Sequence, residues 1–187
     1  MAIQRADLKC GRIFGAALDD VLPAVGAHDI GWIVSAINEA TMLETPEVIL
    51  PTRHLKLALN DINERREGLV APEGGHVQRL VQFVDDWDQK LSLLVHCWAG
   101  VSRSSACVFI SLCHLNPDMD EKDIAMILRK ASPTATPNAL LVQLADDYLG
   151  RSGKMVDAVD MIGQGQMTYQ GALYSLPANL TTLDEGC

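Results

Sequence analysis

The run His96-Cys97-Trp98-Ala99-Gly100-Val101-Ser102-Arg103-Ser104 joins two apolar segments, residues 91–95 before it and 105–115 after it. That order reads as a buried strand, a tight loop and a helix. A cysteine at the end of a strand, with a helix N-terminus behind it, has a physical reason to ionise. Loop N–H groups and the helix dipole both favour negative charge there. Free thiols titrate near ~8.5, and settings of this kind lower that to roughly 3.5–7.5. The cradle that favours a thiolate also fits a dianionic phosphate.

Each residue type has a task in such a loop. Cys97 is the candidate nucleophile. The backbone of Trp98, Ala99, Gly100, Val101 and Ser102 is the candidate phosphate cradle. Arg103 opens the helix and can reach back to grip two oxygens in a fork. Gly100 tolerates the positive φ that lets a loop close around an anion. Ala99 and Ser102 are small and leave room for a ligand. The Ser104 hydroxyl is placed to donate to the sulfur and ease its departure from a phosphocysteine. The His96 ring can hydrogen-bond the loop backbone and hold Cys97. The Trp98 side chain points outward, where it either packs or lines the cleft rim.

The pattern His-Cys-x-x-Gly-x-x-Arg-Ser at 96–104 resembles the signature of the cysteine-dependent protein tyrosine phosphatases, in their compact dual-specificity-like branch. By motif spacing the resemblance runs from about residue 30 to about residue 150. It implies hydrolysis of a phosphomonoester through a phosphocysteine, with a general acid on a separate loop. In this family the acid is an aspartate about thirty or more residues before the cysteine. Asp61 lies 36 residues before Cys97, after the alternating run His54-Leu55-Lys56-Leu57-Ala58-Leu59, and resembles that acid. Protonating a poor leaving oxygen typically contributes roughly 10²–10⁴-fold. Pro137-Asn138, with Gln143-Leu144 downstream, resembles the segment that opens a late helix in compact phosphatases. Asn138 there caps the helix or orients water.

Working outward, strands alternate with helical patterns. Residues 12–16, 30–37 and 55–59 read as strands, with helix a close rival at 30–37, and 19–27, 76–90, 120–131 and 138–149 as helices. Asp120 and Asn138 serve as N-caps and Gly150 as a stop. This predicts an α/β fold with a central, mostly parallel sheet flanked by helices and the loop at a strand's carboxyl end. Residues 1–162 read as a phosphatase-like catalytic domain, with one or two last helical turns over 155–162. Residues 163–187 read as an irregular C-terminal tail.

Composition narrows the class. The chain has 187 residues, 48% hydrophobic and 21% charged, enough for one domain with a sizeable core. A net charge of −9 argues against nucleic acid or an anionic membrane as partner. It does not forbid a phosphate held in a local cradle. No apolar run approaches the ~20 residues of a membrane span, and the N-terminus lacks a signal-peptide core; the expected location is the cytoplasm. The five cysteines include no Cys-x-x-Cys pair, and no histidines share metal-ligand spacing, so no cofactor and no metal is expected. Cys107 and Cys113 read as core residues. The expected partner is a phosphorylated protein or a small phosphomonoester. The loop has no lysine, which favours phosphotyrosine or a small monophosphate over multiply phosphorylated substrates. Two other readings fit parts of the pattern: a rhodanese-like sulfurtransferase, and a catalytically silent phosphate-binding module. Asp85, Asp86 and Asp88 are nearer to Cys97 in sequence than Asp61 is, but read as the solvated face of a helix.

Overall fold

The computed structural model describes residues 11–182. Cys10, Cys187 and the N-terminal segment considered above lie outside the described residues. Five strands form one sheet: β1 (Arg12–Ala17), β2 (Ile30–Ile37), β3 (His54–Ala58), β4 (Ser92–Cys97) and β5 (Tyr174–Pro177). Their order is β3-β2-β4-β1-β5. The first four run parallel, and β5 lies antiparallel on β1. Six α-helices flank the sheet: α1 (Val21–Ala27), α2 (Gly74–Asp86), α3 (Arg103–Leu115), α4 (Glu121–Ala131), α5 (Ala139–Leu149) and α6 (Lys154–Ile162). The α/β architecture with a mostly parallel sheet is as the alternation of patterns predicts.

Period-two alternation along the strands feeds two cores. Leu93 and Val95 of β4, with Trp32, Val34 and Ala36 of β2, enter the larger core with α2 to α6. Leu94, Ile33 and Phe14 enter a smaller one with Val21 and Ala24 of α1. Each such large apolar side chain contributes on the order of 1.5–3 kcal/mol when fully buried. Helix α3 is buried along its length from Arg103 to Cys113, and its middle, Ala106 to Ile110, is apolar at every position. Among the described helices none is long and apolar enough to cross a membrane.

Cys97 ends β4, the strand held between β1 and β2. Neighbouring parallel strands leave a crevice at their carboxyl ends, and α3 starts just beyond it. The expected caps are present. The Asp120 side chain accepts from Lys122 N–H at the start of α4, and Gly150 closes α5 in the left-handed region at φ 65°.

Two expectations about elements shift. Helix α2 begins at Gly74, where Glu73 and His76 form a reciprocal capping box, and stops at Asp86, where Trp87 turns to extended backbone. The last helical turns expected over 155–162 are present as the nine-residue α6. Its first N–H groups are held by the buried Asp146 carboxylate, at 2.6 Å from Gly153 N and 2.8 Å from Met155 N. The stretch read as an irregular tail contains β5, with Tyr174 and Leu176 buried. Four residues ending in proline carry too little periodicity to stand out; pairing with the edge of β1 makes them a strand.

Gly15 faces Tyr174 across the β1–β5 ladder. A Cβ there would lie 2.2 Å from the tyrosine ring. Gly15→Ala is expected to cost about 1–3 kcal/mol in urea unfolding. The same change in a Tyr174→Leu background should cost clearly less; additive costs would mean the ring does not depend on the missing methyl.

Candidate active site

The loop between β4 and α3 is held from outside by its carbonyls. Leu18 N–H donates to Trp98 O at 3.1 Å and Gly171 N–H to Ala99 O at 2.8 Å. Thr136 N–H donates to Val101 O at 2.9 Å and Asn138 N–H to Ser102 O at 3.3 Å. In a trans peptide the carbonyl and the following N–H point opposite ways. The outward carbonyls therefore turn the N–H groups of Ala99, Gly100, Ser102 and Arg103 toward the interior of the loop, where an anion would sit. Gly100 has φ 73°, and a Cβ on it would come within 2.7 Å of Ala17 N in β1. A side chain at position 100 would thus push the loop off the sheet. Cys97 is buried, with its Sγ 3.2 Å from Ser104 Oγ.

Arg103 folds back beneath this loop. Its Nη1 donates to Leu59 O at 3.0 Å, anchoring the guanidinium to the residue that follows β3. Nε has no hydrogen-bond acceptor among the described residues and lies 3.9 Å from Asp61 Oδ2. Asp61 is half-exposed at the loop mouth. Its Oδ1 accepts from Ser102 Oγ at 2.7 Å and from Asn138 Nδ2 at 2.9 Å. Both donors sit on Oδ1, which leaves Oδ2 turned toward Arg103. The Asn138 amide has two tasks. Its Oδ1 accepts from Leu141 N–H at 3.0 Å and caps α5, while its Nδ2 orients Asp61.

Behind the loop runs a buried chain of polar side chains. His96 Nε2 lies 2.6 Å from Ser35 Oγ, which lies 2.8 Å from His54 Nε2. His54 Nδ1 lies 2.8 Å from Thr45 Oγ1, and His96 Nδ1 lies 3.4 Å from Cys97 O. A carbonyl only accepts, so His96 carries its proton on Nδ1 and accepts at Nε2 from Ser35. The Ser35 oxygen then accepts from His54 Nε2–H, and His54 Nδ1 accepts from Thr45. Every donor points toward Cys97. Burial lowers the pKa of both rings to about 4. At His54 the Lys56 ammonium adds to the lowering and Glu44 opposes it. Both imidazoles are neutral at pH 7, as this proton order requires.

The loop residues named from sequence meet in one place with Asp61 and Asn138, although Asn138 is 77 positions from Asp61. Ser102 does more than leave room, since it holds Asp61. The Trp98 side chain is half-exposed at the rim. Asp85, Asp86 and Asp88 are engaged elsewhere, with His114, Gln82 and Arg53 respectively. Sequence reading missed Ser35, His54 and Thr45, and also Gly171. The one available signal was a histidine opening an alternating strand, which lacks any motif.

The two neutral histidines predict a pH dependence. Each has a folded pKa of about 4, below its ordinary 6.5. The unfolded chain takes up these protons first, so stability falls as pH drops from about 6.5 toward about 4. Each ring contributes a slope of up to about 1.4 kcal/mol per pH unit in that window. His54→Gln, which keeps a donor toward Ser35, should remove one proton's worth of this slope. Urea unfolding of both proteins at pH 7 and pH 5 measures it. Identical pH slopes would show that His54 titrates alike folded and unfolded.

By sequence, no protein-family model and no curated protein matches the chain. By structure, it is similar to DUSP15, with a TM-score of 0.60 and 19% identity over 80% of this chain and 89% of that one. It is similar to the Yvh1 phosphatase domain from Chaetomium thermophilum, with a TM-score of 0.55, 18% identity, and 76% and 93% of the two chains covered. It is also similar to PTPMT1, solved in complex with PI(5)P, with a TM-score of 0.55, 15% identity, and 75% and 94% covered. With the strand–loop–helix at 96–104 seated at the carboxyl end of the sheet, the chain has the fold shared by these solved structures.

Proposed function

We propose that the chain is a cysteine-dependent phosphatase that hydrolyses a phosphomonoester through a phosphocysteine. The observation that carries this reading is the meeting of three groups at one loop mouth: the Cys97 sulfur beneath inward N–H groups, the Arg103 guanidinium, and the tethered Asp61 carboxyl. A sulfurtransferase has no use for the last of these. Three buried free thiols, Cys97, Cys107 and Cys113, suit a reducing compartment such as the cytoplasm.

The reaction balances with these groups. Phosphate oxygens rest on the loop N–H groups and on the guanidinium edge bearing Nε. The Cys97 sulfur donates an electron pair to phosphorus, opposite the leaving oxygen, and the P–O bond breaks. The proton on Asp61 Oδ2 passes to that oxygen. Water then attacks phosphorus, gives its proton back to Asp61, and the S–P bond breaks with its electrons returning to sulfur. The Ser104 hydroxyl stabilises the departing sulfur. Loop dipoles and Arg103 stabilise the equatorial charge throughout. Phosphotyrosine or a small monophosphate is the substrate class that a single arginine and no loop lysine favour.

The purified protein should hydrolyse an aryl phosphate without added metal, resist EDTA and be inhibited by vanadate. Cys97→Ser should abolish turnover and leave the fold intact; full activity in that variant ends the mechanism. Arg103→Lys keeps the charge but loses the fork and the anchor to Leu59, so both binding and turnover should fall. Unchanged kinetics would free Arg103 of the phosphate role. Asp61→Asn should lower kcat by roughly 10²–10⁴-fold on esters with basic leaving groups, and far less on strongly acidic phenols. A parallel drop across all leaving groups would move the acid role elsewhere.

A further inference from the structure

The segment from residue 163 to 173 crosses the outer side of the catalytic loop and is fixed at both ends. At its start, Arg129 donates to Ile162 O and Gly163 O, each at 2.8 Å. Gly165 N–H donates to Thr136 Oγ1 at 3.0 Å, where a Cβ would come within 2.6 Å of the Thr134 backbone. At its end the chain enters β5. Between these anchors, Gly171 N–H holds Ala99 O, the next loop carbonyl after the one held by Leu18 N–H.

Two walls, one at residues 18–20 and one at 169–171, are therefore tied to consecutive carbonyls of the phosphate loop. Gln170 Nε2 bridges them by donating to Asp20 Oδ2 at 3.2 Å. Between the walls lies a recess of about 50 Å³, lined by Leu18, Asp19, Trp98, Ala99, Tyr169 and Gln170. Asp19 has no ion-pair or hydrogen-bond partner among the described residues, whereas Asp20 is engaged. Trp98 and Tyr169 are 50% and 87% exposed. No basic side chain lines the recess.

An unpaired carboxylate in a recess shared with two aromatic side chains is suited to a cation. A second phosphate would meet Asp19 and be repelled. Because Trp98 and Ala99 belong both to the recess and to the loop, the cation must be carried within a residue or two of the phosphorylated group. We propose that this recess is a subsite for the lysine or arginine side chain next to a phosphotyrosine in a peptide substrate. The proposal rests on the phosphatase reading and names the substrate class of the same site.

The test is kcat/KM on matched phosphotyrosyl peptides that carry Arg, Ala or Glu beside the phosphotyrosine. Ratios between peptides are taken within each protein, so a general loss of activity cancels. The wild type should prefer the Arg peptide over the Ala peptide by roughly three- to tenfold, with the Glu peptide last. The preference should shrink in about 0.5 M salt, weaken in Tyr169→Ala, and reverse in Asp19→Lys. Equal rates on all three peptides in the wild type would overturn the subsite, as would a preference unmoved by Asp19→Lys. A phosphoinositide with a second phosphate turned over faster than every peptide would overturn it too. Turnover of p-nitrophenyl phosphate by the wild type reports the cradle alone. Its absence would overturn the phosphatase reading, and the subsite with it.

Discussion

The geometry of the loop rests on where its carbonyls go. A loop that presents N–H groups inward must point its carbonyls outward, and each outward carbonyl near the core needs a donor. Leaving one unsatisfied costs about 1–3 kcal/mol. Here the donors come from the β1–α1 turn, the segment before α5 and the segment before β5, at Leu18, Thr136, Asn138 and Gly171. These residues come from both ends of the described chain. The fold brings them together because β1, β4 and β5 meet on one side of the sheet and α5 packs against α3. Gly100 completes the constraint by letting the loop lie against the Ala16 and Ala17 backbone of β1.

Charge at the mouth is arranged on the same principle. Arg103 is buried with one edge given to Leu59 O, so its remaining edge is fixed rather than searching for a partner. Asp61 stands 3.9 Å from it and is held through the opposite oxygen by Ser102 and Asn138. A carboxylate allowed to close fully on the guanidinium would compete with a phosphate for it. Tethering Oδ1 limits that approach and leaves Oδ2 facing the cleft. The acidic chain as a whole, at −9, does not contradict an anion site. Screening over about 8–10 Å at ordinary ionic strength reduces the field of distant surface carboxylates, while the loop dipoles act at contact.

Much of this was legible in the sequence, and what was not has a common cause. Cys97, Gly100, Arg103 and Ser104 stand within eight residues, so their spacing alone reports a loop between a strand and a helix. Asp61 was legible through the family resemblance, which calls for a carboxylate after the alternating strand that precedes it. The caps at Asp120 and Asn138 were legible because capping is local. By contrast, the Ser35–His96 and Ser35–His54 contacts span 61 and 19 positions, and each residue sits in a strand that reads as an ordinary apolar or alternating run. Strand β5 is four residues long and becomes a strand only through β1. The second task of Asn138, on Asp61, depends on a side chain 77 positions away. Features set by local backbone preference could be read; features set by which strands become neighbours could not.

The buried polar chain behind the loop follows from sheet register. Ser35 pairs with His96 across β2 and β4, and Ile33 pairs with His54 across β2 and β3. Ser35 therefore sits between two rings with a single hydroxyl, able to donate to one and accept from the other. The Cys97 carbonyl fixes the His96 tautomer, that tautomer fixes the direction of the Ser35 hydroxyl, and the hydroxyl fixes His54. Thr45, only partly buried, ends the series and connects it to the surface loop before β3. An apolar residue at position 54 would leave Ser35 without its donor. The neutral state of both rings keeps positive charge off the back of the loop and leaves the Arg103 guanidinium as the full positive charge in the cleft among the described residues.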